Sequence, residues 1–298
     1  MLGIGAVAID DLVFVERYPE PNTKVAVQAL QRQGGGLTGT AVVAAARLGA
    51  RSAYCGVLGF DELSQFALCE FGKEGVDCSL VSRREGARPV HSVVIVIRPS
   101  GQRTVLCSHD SVVAATSEDI TEGLIRRCRV LLVDNSVGEG GRKAAALARG
   151  LGVPVVADFE PDAGPAAPDL VDLVDHLIVG MEFARLSTGE CDPAHMVQAL
   201  ASPSRVACVV TAGELGCWYS ERGGTTHHVP AFSVPVVDTT GCGDVFHGAY
   251  ATGVARGESV PDALRFASAA AALKATRPGG RAGIPDREAV AQLLARDV

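Results

Sequence analysis

Asp238-Thr239-Thr240-Gly241-Cys242-Gly243-Asp244 brings the residue types for phosphoryl transfer into one short stretch. Glycines on both sides of Cys242 let the backbone turn so that successive N–H groups face one way. The helix that should follow, ending at Arg256-Gly257, adds unpaired donors and a partial positive charge at its start. Such a cradle suits an anion. Asp244, in the first helical turn, would stand beside a bound phosphate, where a general base takes the proton of an attacking hydroxyl. The spacing also suits an Asp that merely caps a helix after a glycine turn. Upstream, the apolar run Val234–Val237 reads as a buried strand.

The elements around this stretch follow from hydrophobic pattern. Leu2–Ile9 is a nearly continuous apolar run, as a strand buried on both faces would be. Gly3-Ile4-Gly5 is not a dinucleotide fingerprint, because Ala8 replaces the third glycine and the run continues into Asp10-Asp11. Further strands are predicted over Tyr54–Leu58, Val130–Val133, Val153–Ala157, His176–Val179 and Val206–Thr211. Helices alternate with them over Leu63–Glu74, Gly140–Leu151 and Ala194–Ala201. Repeated βα units imply an α/β fold, a doubly wound, mostly parallel sheet flanked by helices, with ligands at the carboxyl ends of its strands. Asp10 and Asp134 follow two of those strands; their carboxylates suit sugar hydroxyls, and Asp is also an ordinary turn residue.

Two β-rich pieces interrupt the pattern. Leu12–Val15 and Lys24–Leu30 form the first; His91–Ile97 and Thr104–Cys107, joined through Pro99-Ser100-Gly101, form the second. They suggest a small β-sheet lid, residues 12–33 and 89–110, inserted in an α/β body of residues 1–11, 34–88 and 111–298. A Pro/Ala/Asp-rich loop occupies 161–169. The run Gly34-Gly35-Gly36 opens a helix of small residues; it either cradles an anion or permits close packing, and without a following Lys-Ser/Thr it is no P-loop. Thr211-Ala212-Gly213-Glu214-Leu215-Gly216 is a second glycine turn after a strand, and a third glycine-rich loop runs from Ala275 to Pro285 behind the helix Leu264–Lys274. Trp218 and His227-His228 read as structural or surface residues, since no His cluster has metal spacing.

The 298 residues allow two domains or one large α/β unit with an insertion. A net charge of −7 argues against nucleic acid or anionic membrane as partners, because both require basic surface. The nine cysteines are scattered, odd in number and without a C-x-x-C pair, which is neither a disulfide framework nor a zinc site. With no apolar run near 18 residues, a reduced cytoplasmic enzyme is the expectation.

Taken in order, these segments resemble the signatures of the ribokinase-like (PfkB) family of carbohydrate kinases, and the C-terminal third is similar to sulfofructose kinases and ketose kinases. The resemblance implies ATP-dependent phosphorylation of a primary hydroxyl of a small sugar, with Asp244 as base and the Gly241, Cys242 and Gly243 backbone as anion hole. It implies sugar contacts from Asp10, Gly35, Gly36, Thr40 and Asp134, and nucleotide contacts from Thr211, Gly213, Gly216, Gly279 and Gly280. It further implies Mg2+ steadied through water by Glu182, K+ held by Asp238 and the loop after Ala275, and a homodimer joined through the lid. Three positions depart from the family pattern: Thr40 and Val179 replace asparagines, and Cys242 replaces an alanine. Lys24, Arg98 and Arg103 are the lid cations available to an anionic sugar substituent. A nucleoside kinase of the same family, or a sugar-binding regulatory protein without chemistry, are the alternative readings.

Overall fold

The computed structural model describes residues 1–99, 101–161 and 168–296, so Ser100 of the lid turn and residues 162–167 of the proline-rich loop lie outside the described residues. The chain begins β1 (Leu2–Ile4), β2 (Ala8–Val15), β3 (Ala29–Gly35), α1 (Leu37–Arg47), β4 (Ala53–Leu58), α2 (Glu62–Lys73) and β5 (Asp77–Arg83). It continues through β6 (Val90–Ile97), β7 (Arg103–Ser108), α3 (Glu122–Arg126), β8 (Leu131–Asp134), α4 (Gly138–Gly150) and β9 (Val155–Phe159). Then come α5 (Pro168–Leu173), β10 (His176–Gly180), α6 (Met181–Thr188), α7 (Pro193–Leu200) and β11 (Ala207–Thr211). The last elements are β12 (Cys217–Glu221), β13 (Thr226–Val229), α8 (Cys242–Arg256), α9 (Val260–Ala275) and α10 (Arg287–Arg296).

The main sheet has the order β13-β12-β11-β10-β9-β8-β1-β4-β5. Its strands from β11 to β5 are parallel, and β12 and β13 add an antiparallel edge. Strands β8 and β9 are buried along their whole length, because apolar clusters lie on both faces. One cluster joins Leu132, Val156 and Ile178 to Val42, Tyr250 and Leu264 on α1, α8 and α9; the other joins Leu131, Val133 and Val155 to Ala144 and Met196 on α4 and α7. The small residues of α1 and α8 let these helices touch, since a Cβ at Gly248 would overlap the Ala41 carbonyl oxygen.

A separate four-stranded sheet, order β3-β2-β6-β7, is built from the two β-rich pieces. Here β2 and β6 are parallel and the flanking pairs antiparallel, so the hairpin expected between His91 and Cys107 is present as β6 and β7.

Three expectations need correction. Leu2–Ile9 is not one strand: β1 ends at Ile4, the chain crosses between sheets over residues 5–7, and β2 starts in the small sheet. The crossing is fixed by Ala6, whose N–H donates to Asp134 Oδ2 at 2.7 Å and whose carbonyl accepts from Gly39 N at 3.0 Å. Val234–Val237 is not a buried strand either; Val236 and Val237 are 63% and 61% exposed. Pro235 offers no N–H to a ladder, and the Val237 and Asp238 N–H groups both donate to the Ala275 carbonyl, at 2.8 and 3.1 Å. Finally, the strand after Lys24 lies at Ala29–Gly35, so Gly34 and Gly35 are strand residues and Gly36 is the N-cap of α1.

Among the described residues no helix is long and apolar enough to cross a membrane. All nine cysteines are free thiols.

Candidate active site

Helix α8 starts with Gly241 as N-cap at φ 74°, a left-handed conformation that glycine adopts without strain. No side chain caps this helix, and Asp244 lies in its first turn, so the carboxylate is not consumed as a cap. The preceding turn is tied down by Asp238: Oδ1 accepts from Thr240 N (2.8 Å) and Oγ1 (2.7 Å), and Oδ2 accepts from Gly279 N (2.8 Å). Burial pushes the Asp238 carboxyl up, but these hydrogen bonds and nearby Lys274 hold it below its ordinary range. Lys274 is fully buried and donates to the Asp238 carbonyl at 2.8 Å. A Cβ on Gly241 would come within 2.9 Å of the Gly280 carbonyl oxygen, so the two loops pack backbone on backbone. The Cys242 N–H donates to Thr239 O at 3.2 Å. Gly243 is exposed, and a Cβ there would meet no protein atom within 4 Å.

Four carboxylates converge on this helix start. Asp244 is faced by Asp158 and Glu160 at the end of β9 and by Asp10 on β2, with Arg281 opposing them. Burial raises the Asp244 carboxyl well above the usual range, and the like charges of Asp158 and Glu160 raise it further. His247, one turn along α8, lies 2.8 Å from Gly243 O, 3.1 Å from Ile178 O and 3.2 Å from Asp158 Oδ2. Burial lowers its affinity for a proton and the two carbonyls oppose that. Asp10 is also raised by burial, against a hydrogen bond from Ser92 and the charge of Arg281.

Arg281 comes from the loop after α9 and is 6% exposed. Its Nη2 donates to Gly35 O at 2.7 Å and its Nε to Thr40 Oγ1 at 3.3 Å. Gly280 N donates to Gln33 Oε1 at 3.3 Å, so the same loop also reaches the small sheet.

The remaining predicted residues divide. Asp10, Gly35, Thr40 and Asp244 gather around Arg281, and Asp238, Gly279, Gly280 and Gly241 form the clamped turn. Thr211 ends β11; Gly213 and Gly216, at φ 57° and 91°, form the turn into β12. Glu182 is exposed in the first turn of α6, beyond the carboxyl end of β10. Asp134 behaves differently from a ligand. It is completely buried, accepting from Ala6 N (2.7 Å), Thr38 Oγ1 (2.8 Å) and Ser136 N (2.7 Å), and it braces the crossing between the two sheets. Trp218 and His228 stack at 4.1 Å across β12 and β13, a structural pairing.

Asp158, Glu160, His247 and Arg281 were not singled out in the sequence. The run Val155–Phe159 reads as core, and only its acidic interruption at Asp158, placed at a strand's carboxyl end, signals more. Another cleft, of about 840 Å³, opens at the amino-terminal ends of β1 and β4 beside Arg51, Ser52 and Arg129, and none of these acids lines it.

The chain matches the pfkB family carbohydrate kinase model over residues 2–287. A ribokinase from Haemophilus influenzae is 27% identical over 98% of this chain and 97% of its own. A fructokinase from Zea mays is 27% identical over 89% of this chain and 90% of its own. The solved structure of Arabidopsis thaliana ribokinase complexed with ribose and ATP superposes with a TM-score of 0.86 at 24% identity, covering 98% of this chain and 97% of that one. With a match running almost from end to end, the chain belongs to the pfkB family of carbohydrate kinases.

Proposed function

We propose that the protein transfers the terminal phosphoryl group of ATP to a primary hydroxyl of a small sugar, a pentose such as ribose or a ketose. The observation that carries this is Asp244, a carboxylate of raised proton affinity in the first turn of a helix whose start is open at Gly243. A sugar seated against Asp10 and the Gly35-Gly36 backbone would present its hydroxyl to Asp244, which takes the proton as the phosphoryl group arrives. The N–H groups of Gly241, Cys242 and Gly243 then stabilise charge on the transferring group. Thr211, Gly213, Gly216, Gly279 and Gly280 would hold the nucleotide.

Among the described residues no three His, Cys, Asp or Glu side chains form a metal cage. The single exposed carboxylate of Glu182, in the first turn of α6, suits Mg2+, which keeps several waters and binds mainly to phosphate oxygens. Glu182 would steady it through water, and the ion would neutralise phosphate charge. Asp238 and the carbonyls of the loop after Ala275 would hold K+, a fit supported by the carboxylate already fixed across both loops.

A base works only when ionised, so kcat/KM should fall as pH drops through the raised Asp244 value, above the ordinary Asp value of 3.8. Glu160→Gln removes one like charge and should move that acid limb to lower pH; an unmoved limb would show that another group sets it.

The lid face opposite Asp10 exposes Leu30 (71%) and Leu106 (54%), which a second copy of the lid would cover. Leu30→Lys should then convert dimer to monomer in sedimentation velocity, and a monomeric wild type would remove the dimer from the account. ADP release measured over ribose, fructose and a nucleoside tests the activity itself: sugar-dependent release is expected, and release with the nucleoside alone would reassign the substrate.

A further inference from the structure

We propose that Arg281 is a positioning residue of the sugar cleft, and that Gly34 and Gly39 make the slot that seats its guanidinium, from which its charge acts on Asp10 and Asp244. This rests on the sugar-kinase reading for its meaning, though not for its test.

The slot is visible in what a side chain would meet. A Cβ on Gly34 would overlap Arg281 Nη1, a Cβ on Gly35 would overlap Asp10 Oδ2, and a Cβ on Gly39 would lie 2.7 Å from Arg281 Nη2. Three glycines are therefore explained by two side chains, with no anion needed at this helix start. The guanidinium lies over the Phe71 ring at 5.3 Å and hydrogen-bonds Gly35 O and Thr40 Oγ1. Its own backbone is fixed by Arg47, whose Nη1 donates to Arg281 O at 2.9 Å and to Ile284 O at 3.0 Å. Arg47 is in turn paired with Glu74 at 2.6 Å. A buried cation held this firmly must be there for its charge or its reach, because burying it is costly without partners.

Its hydrogen bonds go to Gly35 O and Thr40 Oγ1, and the charges around it are acidic. Asp10, Asp244, Glu70 and Glu74 face Arg281, and burial brings the guanidinium down to about 10. Asp244 otherwise feels the charges of Asp158, Glu160 and Asp10, and Lys274 and Cys242 feel its own. Asp10 meets Ser92, Asp11 and His91 besides Arg281. Arg281 is thus the positive charge nearest in effect to both Asp10 and Asp244, and its Thr40 contact occupies the position where the family pattern has an asparagine. Removing it should loosen sugar binding and make both acids harder to ionise, since a lost positive neighbour raises a carboxyl pKa.

The test is a carboxyl titration by NMR on the unliganded full chain carrying 13C-labelled aspartate. In Arg281→Gln the Asp10 and Asp244 midpoints should rise by about 0.5 pH unit or more, and in Arg281→Lys by less. Gly34→Ala, which keeps the charge but obstructs the slot, should shift them in the same direction, and it stands in if Arg281→Gln does not fold. In steady-state assays Arg281→Gln should raise KM for the sugar by about tenfold while KM for ATP stays within about twofold. Unchanged midpoints in Arg281→Gln and Gly34→Ala would overturn the inference. A wild type that phosphorylates no sugar would overturn the proposed function instead and leave the titration readable.

Discussion

Asp244→Asn is expected to lower kcat by roughly 10²- to 10⁴-fold with KM for the sugar within about twofold of wild type. The amide has the size of the carboxylate and cannot take a proton. Its effect on stability separates the two readings of this residue. A helix-capping Asp lost to substitution costs about 1 kcal/mol, but α8 has Gly241 at its N-cap and no side-chain cap. Here the carboxylate is buried against Asp158, Glu160 and Asp10, so removing its charge relieves repulsion. Thermal unfolding should therefore show Asp244→Asn unfolding at the same temperature as wild type or higher. An inactive and destabilised variant would return the residue to a structural role; an active one would remove it from the chemistry.

Gly243→Val should have the next largest effect, with the opposite origin. A Cβ at Gly243 meets nothing within 4 Å outside its own helix, and the residue is exposed, so the substitution points toward solvent and not into the core. Helix propensity changes by less than about 1 kcal/mol on this exchange. What the valine would occupy is the space in front of the helix N-terminus. If the terminal phosphates of ATP lie there, kcat/KM for ATP should fall about 10²-fold or more while urea unfolding is nearly unchanged. Normal ATP kinetics in the valine variant would mean that the anion binds elsewhere.

What the sequence made legible was whatever is local. The Asp238–Asp244 stretch announces its turn and helix because each feature depends on neighbours a few residues apart, and the alternation of strands and helices follows from period alone. Three failures share a different cause. Leu2–Ile9 is apolar throughout although it belongs to two sheets, and nothing in its pattern marks the crossing that Asp134, over a hundred residues away, holds in place. Val234–Val237 has a strand's composition, but Ala275 rather than a neighbouring strand takes its N–H bonds. Asp134 stands where a ligand would stand and is spent on Ala6, Thr38 and Ser136. Arg281 shows the same limit from the other side: its importance comes from Gly34, Gly35, Gly39 and Thr40, near the other end of the chain, and no spacing rule joins them.

Catalysis by Asp244 requires a particular geometry, which a crystal structure of the protein with its sugar and a non-hydrolysable ATP analogue would reveal. The acceptor hydroxyl should lie within about 3.2 Å of an Asp244 carboxylate oxygen, with the analogue's last phosphate against the Gly241–Gly243 backbone and the sugar ring against Asp10. A sugar bound with its primary hydroxyl turned away from Asp244, or a phosphate seated away from that helix start, would contradict it.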